Sequence, residues 1–148
     1  MRELQEYLSP NQISFLRATT RDAALHELVA LLAAAAKLTD QAAFLDAVLA
    51  REKIVSTGIG MGVAIPHAKL PGYQDFFIAI GLQKQGIPWD AIDGGPVSLI
   101  FLVGGPDDKQ TEYLQILSRL TTALKDRKRR KSLLAAETSE EVIALFTS

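Results

Sequence analysis

One histidine stands where its chemistry is easiest to use. His67 closes the run Ser56-Thr57-Gly58-Ile59-Gly60-Met61-Gly62-Val63-Ala64-Ile65-Pro66, a glycine-rich and strand-like stretch with a proline directly before it. An imidazole with an ordinary pKa of about 6.5 is mostly neutral at pH 7, so it can attack an electrophile without a separate base. Pro66 locks its own φ and biases Ile65 toward an extended backbone, which gives His67 a defined direction. The leading reading is a histidine that takes a phosphoryl group. Gly58, Gly60 and Gly62 allow close approach of backbone to a ligand, and successive N–H groups there can form an anion-binding nest. The same glycines can equally shape a tight turn or bulge beside a strand. The spacing is G-x-G-x-G and Val-Ala-Ile-Pro follows instead of a helix, so a dinucleotide fingerprint is excluded. Ser56 and Thr57 could bind phosphate through hydroxyl or backbone N–H, or could close local turns.

The elements that must position this histidine follow from periodicity. Leu25, Leu28, Val29 and Leu32 repeat at helical spacing, and Thr19 with Asp22 resembles a capping box, which predicts a first helix from about Thr20 to Ala36. A second begins at Thr39 and carries Phe44, Leu45, Val48 and Leu49 up to Arg51. Val63 to Pro66, Phe76 to Gln83 and Val97 to Val103 read as strands. The last is apolar at nearly every position, as a strand covered on both faces must be. Asp93-Gly94-Gly95-Pro96 is a turn, and Gly104-Gly105-Pro106-Asp107 leads into a third helix bearing Ile116, Leu117, Leu120 and Leu124. Thr138-Ser139-Glu140-Glu141 is a capping box for a terminal helix with Val142, Ile143 and Phe146 on its apolar side. The expected architecture is α/β: a mixed sheet with helices on both faces, in a single domain over residues 1–148.

Composition narrows the classes of function. The 148 residues, 48% hydrophobic, are enough for a full core without a staple. The absence of Cys removes disulfides, thiol nucleophiles and thiolate metal sites and fits a cytosolic compartment. The longest apolar runs, Leu28 to Ala36 and Val97 to Val103, stop well short of the roughly 20 residues of a membrane span. Glu3 and Glu6 near the start are unlike a secretory signal. A cytoplasmic domain is therefore expected, with no membrane insertion. With two histidines, no metal site and no cofactor is called for. Lys125 and Arg127 to Lys131 supply six of the 16 basic residues, leaving the rest of the chain net acidic. This run reads as a solvated helix end near the negative pole of the dipole; no aromatic residue interrupts it to stack on bases, so no nucleic-acid partner is expected. His26 lies beside the first helix's apolar stripe and reads as a surface residue. Trp89 reads as a core or loop anchor, and Tyr73 sits in a turn where it could touch a partner.

The string from Leu49-Ala50-Arg51-Glu52-Lys53-Ile54-Val55 through Ser56 to Pro66-His67 resembles the signature of the IIA domains of the fructose/mannitol class of the bacterial phosphoenolpyruvate-dependent phosphotransferase system. Ile87-Pro88-Trp89-Asp90-Ala91-Ile92-Asp93-Gly94-Gly95-Pro96-Val97 is similar to a later segment of the same family. The resemblance covers essentially the whole chain, and a chain of this length is most similar to the nitrogen-regulatory members.

This resemblance implies a mixed sheet flanked by helices. It also implies a histidine that accepts phosphate from the phosphocarrier HPr or its nitrogen-branch paralogue and passes it on. His67 matches the phosphorylated position and Arg51 the active-site arginine, whose planar fork of donors suits the equatorial oxygens of a transferring phosphoryl group. Ser56, Thr57 and Gly58 are the phosphate-binding candidates beside them. The family commonly has a second histidine early in the helix after the last core strand; here that position is Tyr113. Helical spacing turns Tyr113 inward with Ile116 and Leu117, as core packing or as a neutral hydroxyl donor to phosphate or to the His67 ring. Two outputs are open. One is a phosphocarrier, either regulatory or passing phosphate to a fructose/mannitol IIB domain. The other is a binding module that signals to a transporter or sensor kinase through the phosphorylation state of His67.

Overall fold

A computed structural model describes residues 2–147. Two short 3-10 turns, Leu4–Tyr7 and Pro10–Gln12, lead into β1 (Ile13–Phe15). The helices α1 (Arg21–Ala34) and α2 (Gln41–Ile54) follow, then β2 (Gly58–Gly60), β3 (Val63–Ala64), β4 (His67–Leu70), β5 (Phe77–Ile87) and β6 (Val97–Pro106). Three helices complete the chain: α3 (Gln110–Leu124), α4 (Arg127–Ala135) and α5 (Ser139–Ala144).

The six strands form one mixed sheet in the order β1-β5-β6-β3-β2, with β4 also paired to β6. β6 is its spine: it runs antiparallel to β5 and parallel to both β3 and β4. Alternation along β6 divides the core. Leu99, Phe101 and Val103 pack with Tyr113, Ile116 and Leu120 of α3, while Ile100 and Leu102 pack with Leu25, Leu28 and Phe44 of α1 and α2. Helices therefore cover both faces, as the apolar run predicts. Each fully buried Leu, Ile or Phe of this strand contributes about 1.5–3 kcal/mol relative to exposure.

Several expectations are corrected in detail. Thr20, not Thr19, caps α1; its Oγ1 accepts from the Ala23 N–H at 3.3 Å. Asp40 caps α2 by accepting from Ala43 N–H at 3.0 Å. The strand expected over Val63 to Pro66 stops at Ala64 as β3, and a further strand not expected from the sequence, β4, begins after Ile65 and Pro66 at His67. Proline has no N–H to offer the ladder, but its carbonyl still accepts from Val103 N–H at 2.9 Å, so β4 resumes along the same neighbour. The basic run is not a helix end: it opens α4, capped by Asp126, which accepts from Lys128 N–H at 2.9 Å. The dipole argument survives in another form. Arg129 and Arg130 reach back to the final turn of α3 and donate to the carbonyls of Ala123 and Leu124 at 3.0 and 2.6 Å. Thr138 caps α5 as expected, accepting from Glu141 N–H at 3.1 Å.

Candidate active site

His67 is the first residue of β4 and lies opposite Val103, so the sheet's alternation turns it to the α3 face. Its Nδ1 lies 3.3 Å from the Ile65 carbonyl oxygen. With the proton assigned to Nδ1 by that contact, Nε2 keeps its lone pair for chemistry. The ring's pKa is lowered, first by burial and then by the positive charges of Arg51 and Lys69, against the opposing pull of the Ile65 carbonyl and the Glu52 carboxylate. The neutral form of the His67 ring is thus favoured.

Beside it is a cavity of about 240 Å³ at the edge of the sheet. Arg51 enters from the last turn of α2, Ser56 and Thr57 from the loop after it, and Leu117 and Thr121 from α3. Larger grooves exist, such as one of about 580 Å³ between Arg2, Tyr7 and the start of α3, but it holds no histidine. Arg51 spends one donor on the Val55 carbonyl, at 2.9 Å, which lays its guanidinium along the loop and leaves its remaining N–H groups for a ligand.

Tyr113 is buried, and its ring meets the His67 ring at a centroid separation of 5.4 Å and a tilt of 54°. It stacks on Phe76 at 6.2 Å on its other flank. Burial raises its pKa, with Arg51 pulling the other way. The side chain is both packed core and a wall of the histidine's surroundings.

The structure thus brings His67, Arg51 and Tyr113 together and places Ser56 and Thr57 on the cavity wall. The donors of that wall are already engaged. The Ser56 hydroxyl donates to Trp89 O at 2.9 Å and accepts from Gly58 N–H at 3.1 Å. Thr57 gives its N–H to Glu52 Oε2 at 2.9 Å and its hydroxyl to Glu52 Oε1. Gly58 faces away from the cavity: a Cβ there would lie 2.8 Å from the Ala91 Cβ, so glycine permits close packing on the Trp89–Ala91 segment. Gly60, Met61 and Gly62 adopt positive φ and shape a bulged turn. Its Met61 N–H is taken by Asp93 Oδ2 at 3.2 Å. Hydrogen bonds from Gly95 and then Met61 N–H lower the Asp93 pKa.

Sequence reasoning missed Glu52. It is 2% exposed and anchors the loop between α2 and β2. The signal was present, since Phe44, Val48 and Glu52 are four residues apart and continue one buried stripe. Tyr73, placed by the sequence in a turn where it could touch a partner, accepts from Thr39 N–H at 3.2 Å and packs on Phe44 and Phe77. Trp89 is core, and His26 is exposed. Among the described residues no cluster of three acidic, His or Cys side chains could hold a metal, and no helix is long and apolar enough to cross a membrane.

Known proteins share this sequence pattern and this fold. Residues 6–148 match the family described as "Phosphoenolpyruvate-dependent sugar phosphotransferase system, EIIA 2". The fructose-specific EIIABC component of Bacillus subtilis is 36% identical over 97% of the chain, which spans only 23% of that protein. A nitrogen regulatory protein of Bradyrhizobium diazoefficiens is 34% identical over 88% of the chain and 85% of its own length. Among solved structures, the nitrogen regulatory protein IIA-Ntr of Neisseria meningitidis superposes with a TM-score of 0.89 at 33% identity, covering 97% of this chain and 98% of that one. A sheet edge that presents one neutral histidine beside an arginine-lined cavity, in a chain matched from residue 6 to its end, belongs to the EIIA 2 family of phosphotransferase-system phosphocarriers.

Proposed function

We propose that His67 accepts a phosphoryl group from an HPr-type phosphohistidine donor and that Arg51 orients it. The observation that carries this reading is the ring whose Nδ1 is occupied by the Ile65 carbonyl, leaving Nε2 unengaged, in a residue that lines a cavity Arg51 also enters. The lone pair of Nε2 attacks phosphorus as the P–N bond to the donor's imidazolium breaks, and that bond's electron pair returns to the donor nitrogen. The donor ring leaves neutral, His67 keeps its Nδ1 proton, and no proton moves between the partners. In so loose a transition state the protein contributes alignment and charge. Arg51 supplies both, with donors free of the Val55 contact. Ser56, Thr57 and Gly58 support this geometry indirectly: bound to Glu52, to Trp89 O and to one another, they form the wall that keeps the ring and guanidinium in place.

The output we favour is regulatory, with His67 charge read by a transporter or sensor kinase in the cytoplasm, where phosphoenolpyruvate is made. Transfer onward to a fructose- or mannitol-type IIB domain is the second reading, favoured by the likeness to a fructose-specific component. Incubation with phosphoenolpyruvate, enzyme I and HPr, followed by intact mass, tests acceptance. Adding a IIB domain then tests relay: phosphate leaving His67 for IIB selects the sugar-uptake reading, and retention selects regulation. No mass increment would overturn both.

A further inference from the structure

A phosphoryl group on His67 carries about two negative charges, by analogy with other phosphorylated side chains near neutral pH. Arg51 answers one of them. Lys69 stands two residues beyond His67 on β4, so strand alternation puts both side chains on the same face. Across the ladder from Lys69 is Gly105, over which the apolar ring of Phe76 packs, so no charged group stands opposite the Lys69 side chain. Its Nζ lies 4.0 Å from the centroid of the Tyr113 ring, the ring that also touches His67, and donates to Gln110 Oε1 at 2.6 Å. Among the described residues Lys69 pairs with no carboxylate. The ammonium of this half-buried lysine, held by a neutral amide and an aromatic face, is one ring away from His67 and free to be claimed by a stronger anion.

We propose that Lys69 is the second cation of the phosphoryl site: as phosphate arrives on His67 its ammonium leaves Gln110 and the Tyr113 face and pairs with a phosphoryl oxygen, opposite Arg51. This rests on the phosphocarrier reading and extends it. Arg51 is a planar fork tied to the loop, suited to setting orientation; Lys69 is a point charge on a flexible stem, suited to following the phosphoryl group from donor to acceptor. The charge is already felt in the unphosphorylated protein, where Lys69 helps keep His67 deprotonated. The charged and titratable groups around that ring are Arg51 and Glu52 on α2, Lys69 on β4 and Tyr113 on α3.

The test compares the full chain with Lys69→Met and Lys69→Arg. It uses the phosphorylation rate from phospho-HPr, the hydrolytic lifetime of phosphohistidine after the donor is removed, and the His67 ring titration by NMR. Lys69→Met should slow phosphorylation about tenfold, alter the lifetime and raise the His67 pKa, and Lys69→Arg should recover most of each. Thermal melts separate these effects from loss of fold. Wild-type rate and lifetime in Lys69→Met would overturn the assignment while leaving the phosphocarrier reading intact. A change confined to the KM for HPr would make Lys69 a docking residue, and equal losses in both variants with an unmoved His67 pKa would make it packing; either overturns it. A folded wild-type protein that accepts no phosphate would overturn both readings.

Discussion

Two segments of this chain carry hydrogen-bond donors of the kind an anion uses, and they treat them in opposite ways. The bulged turn Gly58–Gly62 has the composition of a phosphate loop, yet its Gly58 and Met61 N–H groups are consumed by the Ser56 hydroxyl and the Asp93 carboxylate. The region around His67 looks ordinary by composition. It nevertheless leaves guanidinium N–H groups and a neutral imidazole at a cavity of about 240 Å³ and, across the Tyr113 ring, an ammonium that pairs with no carboxylate among the described residues. A glycine-rich loop satisfied by its own protein is architecture. A site is where charge has been left uncompensated, because that charge is still available to a ligand.

The sharpest way to break this contrast is His67→Ala, which should abolish the mass increment after incubation with phosphoenolpyruvate, enzyme I and HPr, while His26→Ala preserves it. The bond should be acid-labile and alkali-stable, as a phosphoramidate is. Next comes Arg51→Lys, which keeps the charge but loses the fork. Transfer should fall roughly ten- to a thousandfold with the melting curve unchanged, and unchanged kinetics would remove Arg51 from the site. Glu52→Ala would strand the Thr57 N–H and hydroxyl in a buried wall, at a cost of about 1–3 kcal/mol measurable by urea unfolding. Unaltered stability would mean the loop does not depend on that anchor.

Smaller effects sharpen the comparison. Tyr113→Phe removes one oxygen from an otherwise equal ring and should shift transfer or phosphohistidine lifetime by a few-fold. Tyr113→His should speed acceptance more at pH 6 than at pH 8, because only the imidazole can add charge near neutrality. The depressed His67 pKa has its own sign. The neutral ring stabilises the fold above the unfolded pKa of about 6.5, and that contribution is lost as pH falls through the folded pKa. The stability gap between wild type and His67→Gln should therefore change below pH 6.5 and be flat above it. Asp93→Asn, at the self-satisfied turn, should leave the transfer rate unaltered; a large loss there would mean the turn takes part in chemistry after all.

Much of the scaffold was legible because burial writes itself into period. The apolar run of β6 announced two covered faces, and Leu25 to Leu32 and Ile116 to Leu124 announced α1 and α3. α4 was not legible, since its first five residues are all basic and are kept helical by bonds to the previous helix, a tertiary cause with no local period. The break at Ile65–Pro66 depends on a neighbour strand that continues past it. At the site, His67 stood out by its flanking residues. Lys69 did not, because its meaning lies in Tyr113 and Gln110, more than forty residues away.

The central place of β6 also has a consequence in time. Every other strand but β1 and β2 lies directly against it, yet it is the last strand in the chain. During synthesis β3, β4 and β5 emerge with no spine to join. Until β6 has left the ribosome β5 has only β1 to pair with, β3 has only β2, and β4 has no partner strand. His67 at the head of β4 thus acquires its orientation late, in the same event that closes the sheet. A nascent fragment ending before β6 would display His67 on an unanchored strand.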